Sequence, residues 1–380
     1  MPRSCVPPPL PHAPPLGALL RRYAAGAPLA CEPVDQGLLN RGYRLRTTQG
    51  RYFLKQHVDP DTADPASIAR QHRATQRLAG LGVPVAPPLP GRDGRTVAVV
   101  GGHTYALHPW IDGRHRNGAQ LTPALCGRLG ALLGLVHASL ERVMPAHGER
   151  PCEAHERART TPNAPSAPTS PAPDTPPTHA TATSRTPPVH ATTVPDPADT
   201  FALIDDLLAR VRRHRPADSF DELARHRLLE RRTLLERHAD RRPPHGDRVG
   251  WVHGDFHPFN LLYQGDAPVA IVDWDRLGVR PRAEEAVRAA AIFFVRPDGT
   301  LDLPKTRAYA RAYRRTAGAA PSELAAAVHR VWWERLNDFW MLRWHYERGD
   351  TRADDQFPAA SALAVWWTRE YDAVCGAFAD

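Results

Sequence analysis

The chain of 380 residues carries 49 basic and 41 acidic side chains, a formal charge of +8. Of its 40 prolines, seven fall in residues 1–15 and thirteen in 145–200. The remainder therefore has ordinary proline content, and collagen-like or wholly disordered chains are excluded. No uninterrupted apolar stretch approaches the ~18–20 residues of a membrane span, and the first residues run into prolines rather than an apolar leader. Cys5, Cys31, Cys126, Cys152 and Cys375 contain no Cys-x-x-Cys pair. That excludes a disulfide scaffold or cysteine zinc cluster and points to a reducing cytoplasm. Lysine occurs only at Lys55 and Lys305, and the arginines are interleaved with acids, so neither specific nucleic-acid binding nor membrane association is expected.

Residues 1–15 read as a polyproline-type tail. Tyr43–Thr47 alternates apolar and polar side chains, Thr48-Gln49-Gly50 is a turn, and Tyr52–Val58 resumes, which makes a hairpin. Asp64 as N-cap, Pro65 at the first position and the stop signals Gly80 and Gly82 predict a helix over 65–79. A second strand pair, 97–100 and 104–107, turns at Gly101-Gly102. His108–Gly113 is a short connector between a first lobe, 16–108, and a second, 109–380. A helix follows over 123–140, with Leu125, Leu129, Leu132, Leu133 and Val136 on one stripe. Residues 145–200, rich in Pro, Thr, Ala and Ser, lack the apolar surface to offset the entropy of ordering and read as a disordered insert. Helical pattern resumes from Phe201 to about Ala239. Short strands at 261–263 and 269–272 come next, and the rest, including the aromatic segment 324–346, reads as helix.

The chemistry-bearing run is Trp251-Val-His-Gly-Asp-Phe-His-Pro-Phe-Asn260, followed by Ala270-Ile-Val-Asp-Trp-Asp275. Its polar skeleton is His-x-Asp-x-x-x-x-Asn, then an aspartate ending an apolar strand, the order used in phosphoryl-transfer sites. Asp255 would orient an attacking hydroxyl. Asn260 and Asp273 would offer oxygens to Mg²⁺, which prefers such ligands. Lys55, in Tyr52-Phe-Leu-Lys-Gln, would reach the α/β-phosphates. His253 is expected to brace the loop, His257 to pack it, and Asp275 to support the site.

These residues resemble the aminoglycoside phosphotransferase and choline kinase-like family. His253–Asn260 looks like its catalytic loop and Ile271–Asp275 like its metal-binding strand end, and the likeness spans most of residues 31–350 outside the insert. The resemblance implies an α+β, two-lobed protein-kinase-like fold, with a small antiparallel sheet in one lobe and a mainly helical second lobe. It implies ATP, with GTP as the alternative donor, and Mg²⁺ between the lobes, and a small-molecule acceptor. His108 and Trp110 fall in the hinge that meets the nucleotide base, beside the helix containing Gly127–His137. Asn40 lies in the phosphate-covering loop, Gly37-Leu-Leu-Asn-Arg-Gly42-Tyr, which is not Gly-x-Gly-x-x-Gly. The family's lysine-holding glutamate falls near Gln71 or His72, so Lys55 is held by a neutral hydrogen bond or by a different acid.

Two other readings remain open at this point: a metal-dependent hydrolase using His253, Asp255, His257 and Asp273, and a nucleotide-binding scaffold without turnover. Val328, Val331, Trp332, Phe339 and Trp340 recur at core spacing. Trp333, Glu334, Asp338 and Trp344 offer an aromatic or acidic lining for a cationic acceptor. Oligomeric state is not legible.

Overall fold

The computed structural model describes residues 14–34, 40–59, 63–144, 194–244 and 249–380. Nearly all of the tail expected at 1–15, residues 37–39 of the phosphate-covering loop and most of the insert expected at 145–200 lie outside the described residues.

The first lobe opens with a helix the sequence reading did not anticipate, α1 (Leu16–Tyr23). It is only two turns long and follows prolines, but it places Leu19, Leu20 and Tyr23 on one buried face. Strands β1 (Pro28–Val34), β2 (Arg41–Thr47), β3 (Gly50–His57), β4 (Val97–Val100) and β5 (His103–Pro109) form an antiparallel sheet in the order β1-β2-β3-β5-β4. The register sets Tyr43 opposite Leu54, and Leu54 opposite Leu107. These side chains and Leu45 and Tyr105 pack with α1 in one apolar cluster. Because side chains alternate along a strand, Lys55 takes the other face, between Gly42 and Ala106 in register.

Helix α2 (Pro65–Gly80) begins as expected, with the Asp64 carboxylate accepting from the amides of Ala66 and Ser67. Its Ala74 and Leu78 belong to the core of the second lobe, so α2 ties the lobes together. The connector after β5 is sewn to the second lobe, Arg114 and Tyr263 exchanging both backbone hydrogen bonds at 2.9 Å.

The second lobe contains α3 (Pro123–Val143), α4 (Pro197–Arg213), α5 (Ser219–His238), α6 (Arg282–Phe294), α7 (Leu303–Ala317), α8 (Pro321–Asn337), α9 (Trp340–Arg343), α10 (Phe357–Arg369) and α11 (Tyr371–Ala379). Two hairpin-like pairs carry the site. They are β6 (Gly250–Val252) with β9 (Gly278–Arg280), and β7 (Leu261–Gln264) with β8 (Ala267–Ile271). The first pair was not foreseen, because three-residue strands 28 positions apart leave no periodic signal. Helix α4 starts at Pro197, capped by Asp196, so ordered structure begins inside the segment read as insert. The helix expected over 324–346 is broken, because Asp338 caps the amide of Trp340 and Asn337 turns back to the Trp333 carbonyl.

Val328, Val331, Trp332 and Phe339 are buried core, as expected, whereas Trp340 is half-buried. Helix α3 is longer and more apolar than the sequence reading allowed: it is the one helix among the described residues with the length and composition of a membrane span. It is packed inside this lobe, most closely against α7. A Cβ added at Gly130 would stand 2.1 Å from the carbonyl oxygen of Tyr309, whereas at Gly127 the nearest such atom is 3.6 Å away. Gly130→Ala should therefore destabilise the protein by about 1–3 kcal/mol, and Gly127→Ala should leave it unchanged or stabilise it by up to about 1 kcal/mol. Urea melts of the two variants check this, and equal effects would mean that α3 and α7 do not approach as closely as described.

Candidate active site

Strand β6 delivers the chain into His253-Gly254-Asp255. His253 is fully buried. Its Nδ1 accepts from the Asp255 amide at 3.2 Å and its Nε2 hydrogen bonds to the Val272 carbonyl at 3.0 Å, while Trp274 lies against the ring. The histidine thus splints the loop 253–260 to the strand end of β8. Gly254 has φ +88°, and a Cβ there would fall 2.1 Å from the Arg276 carbonyl oxygen. Only glycine fits that turn.

The Glu285 carboxylate, at the start of α6, accepts from the amides of His253 and Gly254. His137 of α3 reaches the same carboxylate at 2.7 Å and the Tyr313 hydroxyl of α7 at 3.0 Å. Burial would raise the Glu285 pKa, but His137, His253 and the loop amide hold it below the usual carboxylate range. Three helices therefore fix the loop through one ionised side chain.

Asp255 is about one-third exposed, with its Oδ2 3.6 Å from His257 Nε2 and 3.9 Å from Arg276 Nε. Burial acts to raise its pKa, yet His257, Arg276 and His253 keep it below its ordinary value, so it is ionised at neutral pH. Asn260 sits on the single turn that ends the loop. Its amide donates to the Asp255 carbonyl at 2.8 Å, and its own carbonyl accepts from Val272 at 2.9 Å. The second contact places Asn260 beside the strand end that carries Asp273. Among the described residues nothing donates to the Asn260 Oδ1.

Lys55 crosses the cleft. Its Nζ lies 2.7 Å from Asp273 Oδ1 and 2.7 Å from Asp275 Oδ2. The lysine's partners are therefore different acids, one of the alternatives the sequence left open. The α2 residues near that place do other work. Gln71 donates to the Asp275 carbonyl at 2.8 Å, and His72 hydrogen bonds to Thr96. Asn40 donates to the Asp275 carboxylate at 2.5 Å and accepts from the amides of Val58 and Asp59, so its side chain clamps the strand end to the first lobe. Burial alone would lower the Lys55 pKa, but the two aspartates hold it well above the ordinary lysine value. Burial also opposes ionisation of both acids. Lys55 wins at Asp273, which is held low, whereas Asp275 is pushed up by burial and by the neighbouring Asp273 charge.

Asp273 has φ +60°, a left-handed conformation uncommon for a side-chain-bearing residue. Its carboxylate is nearly half exposed toward the cleft. The carboxylate held ionised by Lys55 is the exposed one, and the open Asn260 Oδ1 adds a neutral oxygen. This donor set fits a hard divalent cation. It does not fit the hydrolase reading, because both ring nitrogens of His253 are engaged by the backbone, and among the described residues no three His, Cys, Asp or Glu side chains gather as a metal site.

His108 and Trp110 form a separate group. His108 stands opposite Phe53 in register, on the same sheet face as Lys55, with its Nδ1 at 2.9 Å from the Ala86 carbonyl. The Trp110 ring is covered by Arg44, and its amide donates to the Arg51 carbonyl. Three of the four residues anticipated as a lining for a cationic acceptor are engaged elsewhere. Trp333 is fully buried with its indole on the Pro195 carbonyl, Glu334 is paired to Arg288, and Asp338 serves as a cap. Sequence reasoning missed Glu285, placed His137 only as the end of a helix, and saw Gln71 only as the place of an absent glutamate. A glutamate in the first turn of a helix reads as a dipole partner, and nothing local reports that it is buried.

Burial holds His108 at about 4, His57 at about 3 and His72 at about 2. These rings stay neutral in the folded lobe while the unfolded chain protonates them below about 6.5. Stability should therefore be complete above that pH and fall as pH drops from about 6.5 toward 4. Both His57 ring nitrogens are buried without a hydrogen-bond partner, so His57→Leu should keep the pH 7 stability or raise it. The same change should remove up to about 2 kcal/mol of the loss seen at pH 5. Urea melts at pH 7 and pH 5 check this; an unchanged difference between the two pH values would contradict it.

Residues 30–319 match the phosphotransferase enzyme family. The homoserine kinase of Acidiphilium cryptum is 29% identical over 130 residues, 34% of this chain and 40% of that protein. That of Burkholderia multivorans is 31% identical over 124 residues, 32% of this chain and 35% of that one. The chain thus matches well under half the length of these curated relatives. The fold is similar to an aminoglycoside phosphotransferase from Alicyclobacillus acidocaldarius (TM-score 0.53, 14% identity, 94% of both chains). It is also similar to a spectinomycin phosphotransferase solved with ADP and spectinomycin (TM-score 0.55, 12% identity, 96% of both chains). With the match covering most of its length and the two-lobed kinase-like fold beneath it, the chain belongs to the phosphotransferase enzyme family.

Proposed function

We propose that this protein is a small-molecule kinase that moves the γ-phosphoryl group of ATP to an alcohol hydroxyl with the help of Mg²⁺. The observation that carries the proposal is the ion pair of Lys55 with Asp273, which joins the first-lobe sheet to the end of β8 beside Asn260. The ADP bound to the spectinomycin phosphotransferase supports an adenine nucleotide as donor.

Phosphoryl transfer passes through a loose transition state, so the protein's part is mainly positioning and charge neutralisation. Asp255 accepts the hydrogen bond of the acceptor hydroxyl and takes its proton as the oxygen bonds to the γ-phosphorus and the bond to ADP breaks. Lys55 turns from the aspartates toward the non-transferred phosphates. Asn260 Oδ1 and Asp273 would hold Mg²⁺, which would supply charge neutralisation on the phosphates. Asn40 holds Asp275 so that Asp273 keeps its angle, and His108 and Trp110 shape the hinge that receives the base.

Asp255→Ala should lower kcat by about 10²–10⁴-fold, the usual range for a general base, with nucleotide affinity nearly unchanged because the residue addresses the acceptor. Steady-state kinetics and calorimetric nucleotide titration check this. Near-normal turnover in the variant would remove Asp255 from the role.

A further inference from the structure

Beneath Asp255, β6, β9 and α6 enclose a cleft of about 340 Å³ including its open mouth. Asp255, Phe256, Glu285, Arg280, Arg288 and Ile292 are among the side chains on its wall. The charges in that wall are unevenly engaged. Glu285 is occupied by two loop amides and His137. Arg288 is clamped by Glu334 at 2.6 Å and by Glu284 at 2.8 Å. Arg280 is the exception. Among the described residues no carboxylate lies within 4.0 Å of its guanidinium, and that guanidinium donates no hydrogen bond. Its position is fixed by the pairing of β9 with β6, where Arg280 lies opposite Gly250, three residues before His253.

An uncompensated cation in a half-buried cleft is unfavourable unless an anion completes it. Burial and the nearby Arg288 and Arg276 push the Arg280 pKa below its ordinary value, against the opposing pull of Glu285 and Asp255. Guanidinium is the side chain best shaped for two parallel bonds to a carboxylate. A polycationic acceptor in this cleft would meet Arg280 directly, and Trp333 and Asp338, expected to favour such an acceptor, are engaged elsewhere.

We infer that the acceptor carries a carboxylate, held by Arg280 in this cleft while Asp255 takes the proton of its hydroxyl. The inference rests on the phosphotransferase reading and narrows it to hydroxy acids and hydroxy amino acids. Arg280 is then the residue that determines acceptor specificity, and Ile292, exposed on the same wall, supplies an apolar side for the acceptor's short carbon chain.

The test uses the full chain with MgATP and matched acceptor pairs: L-homoserine, L-serine and 4-hydroxybutyrate, each against its carboxamide, with 3-amino-1-propanol and kanamycin as cationic arms and glycerol 3-phosphate as a phosphate arm. At least one carboxylate should be phosphorylated with kcat/KM at least 30-fold above its amide. Arg280→Gln should bring that ratio close to one, mainly through KM, and Arg280→Lys should restore part of it. ATP affinity measured on each variant confirms that the fold is intact. Turnover concentrated on an amide, a cationic acceptor or the phosphate arm would overturn the inference and leave the kinase reading standing. An unchanged carboxylate-to-amide ratio in Arg280→Gln would overturn it as well. A chain that binds no nucleotide would sink both.

Discussion

Lys55 between Asp273 and Asp275 is the contact on which the site depends. It brings together residues 218 positions apart in sequence, and it does so with a lysine only 8% exposed. In the first lobe the lysine is set by strand alternation, with Leu54 locked in the core on the opposite face. In the second lobe the acids are set by the β7–β8 hairpin, by the Asn260 carbonyl holding the amide of Val272, and by Gln71 and Asn40 on Asp275. One member of the pair of acids is shielded and has its pKa raised, while the other is held low and is nearly half exposed. The same arrangement that pairs the lysine leaves the Asp273 carboxylate half exposed beside the open Asn260 Oδ1, the donor set on which the proposed divalent ion rests.

The loop 253–260 is held by a different device. Hydrogen bonds to a buried ionised carboxylate are strong, because water cannot compete for them. Glu285 uses this to fix the two residues before Asp255, and His137 and Tyr313 carry the anchor into the α3–α7 pair. His253 adds a second anchor from below. Asp255 is the next residue along, and its carboxylate is one-third exposed beside the cleft that contains Arg280. The loop is anchored at His253 and Gly254 and exposed at Asp255.

Much of this was legible in the chain itself. The hairpins and α2 with its Asp64 cap lie close to where periodicity put them, and of the residues picked out by the His-x-Asp-x-x-x-x-Asn spacing and the strand-end aspartate, the fold sets Asn260 beside Asp255 and beside the strand end that carries Asp273. The partner of Lys55 was not legible, because the acids holding it lie on another lobe and a missing glutamate says only what is absent. The α1 helix escaped because two turns after a proline run carry little period, and β6 with β9 because their pairing is purely long-range. Three residues of the expected cationic lining are engaged elsewhere for a related reason. Helical spacing identifies neighbours along α8 but not which of them face the core, and Trp333 faces it completely.

The most direct measurement is calorimetric titration of ATP with and without Mg²⁺ into the native protein and the Asp273→Asn and Asp275→Asn variants. If Asp273 holds the ion and Asp275 only positions it, Asp273→Asn should abolish the gain in nucleotide affinity that Mg²⁺ confers, while Asp275→Asn should keep most of it. Equal retention of that gain in both variants would contradict the assignment.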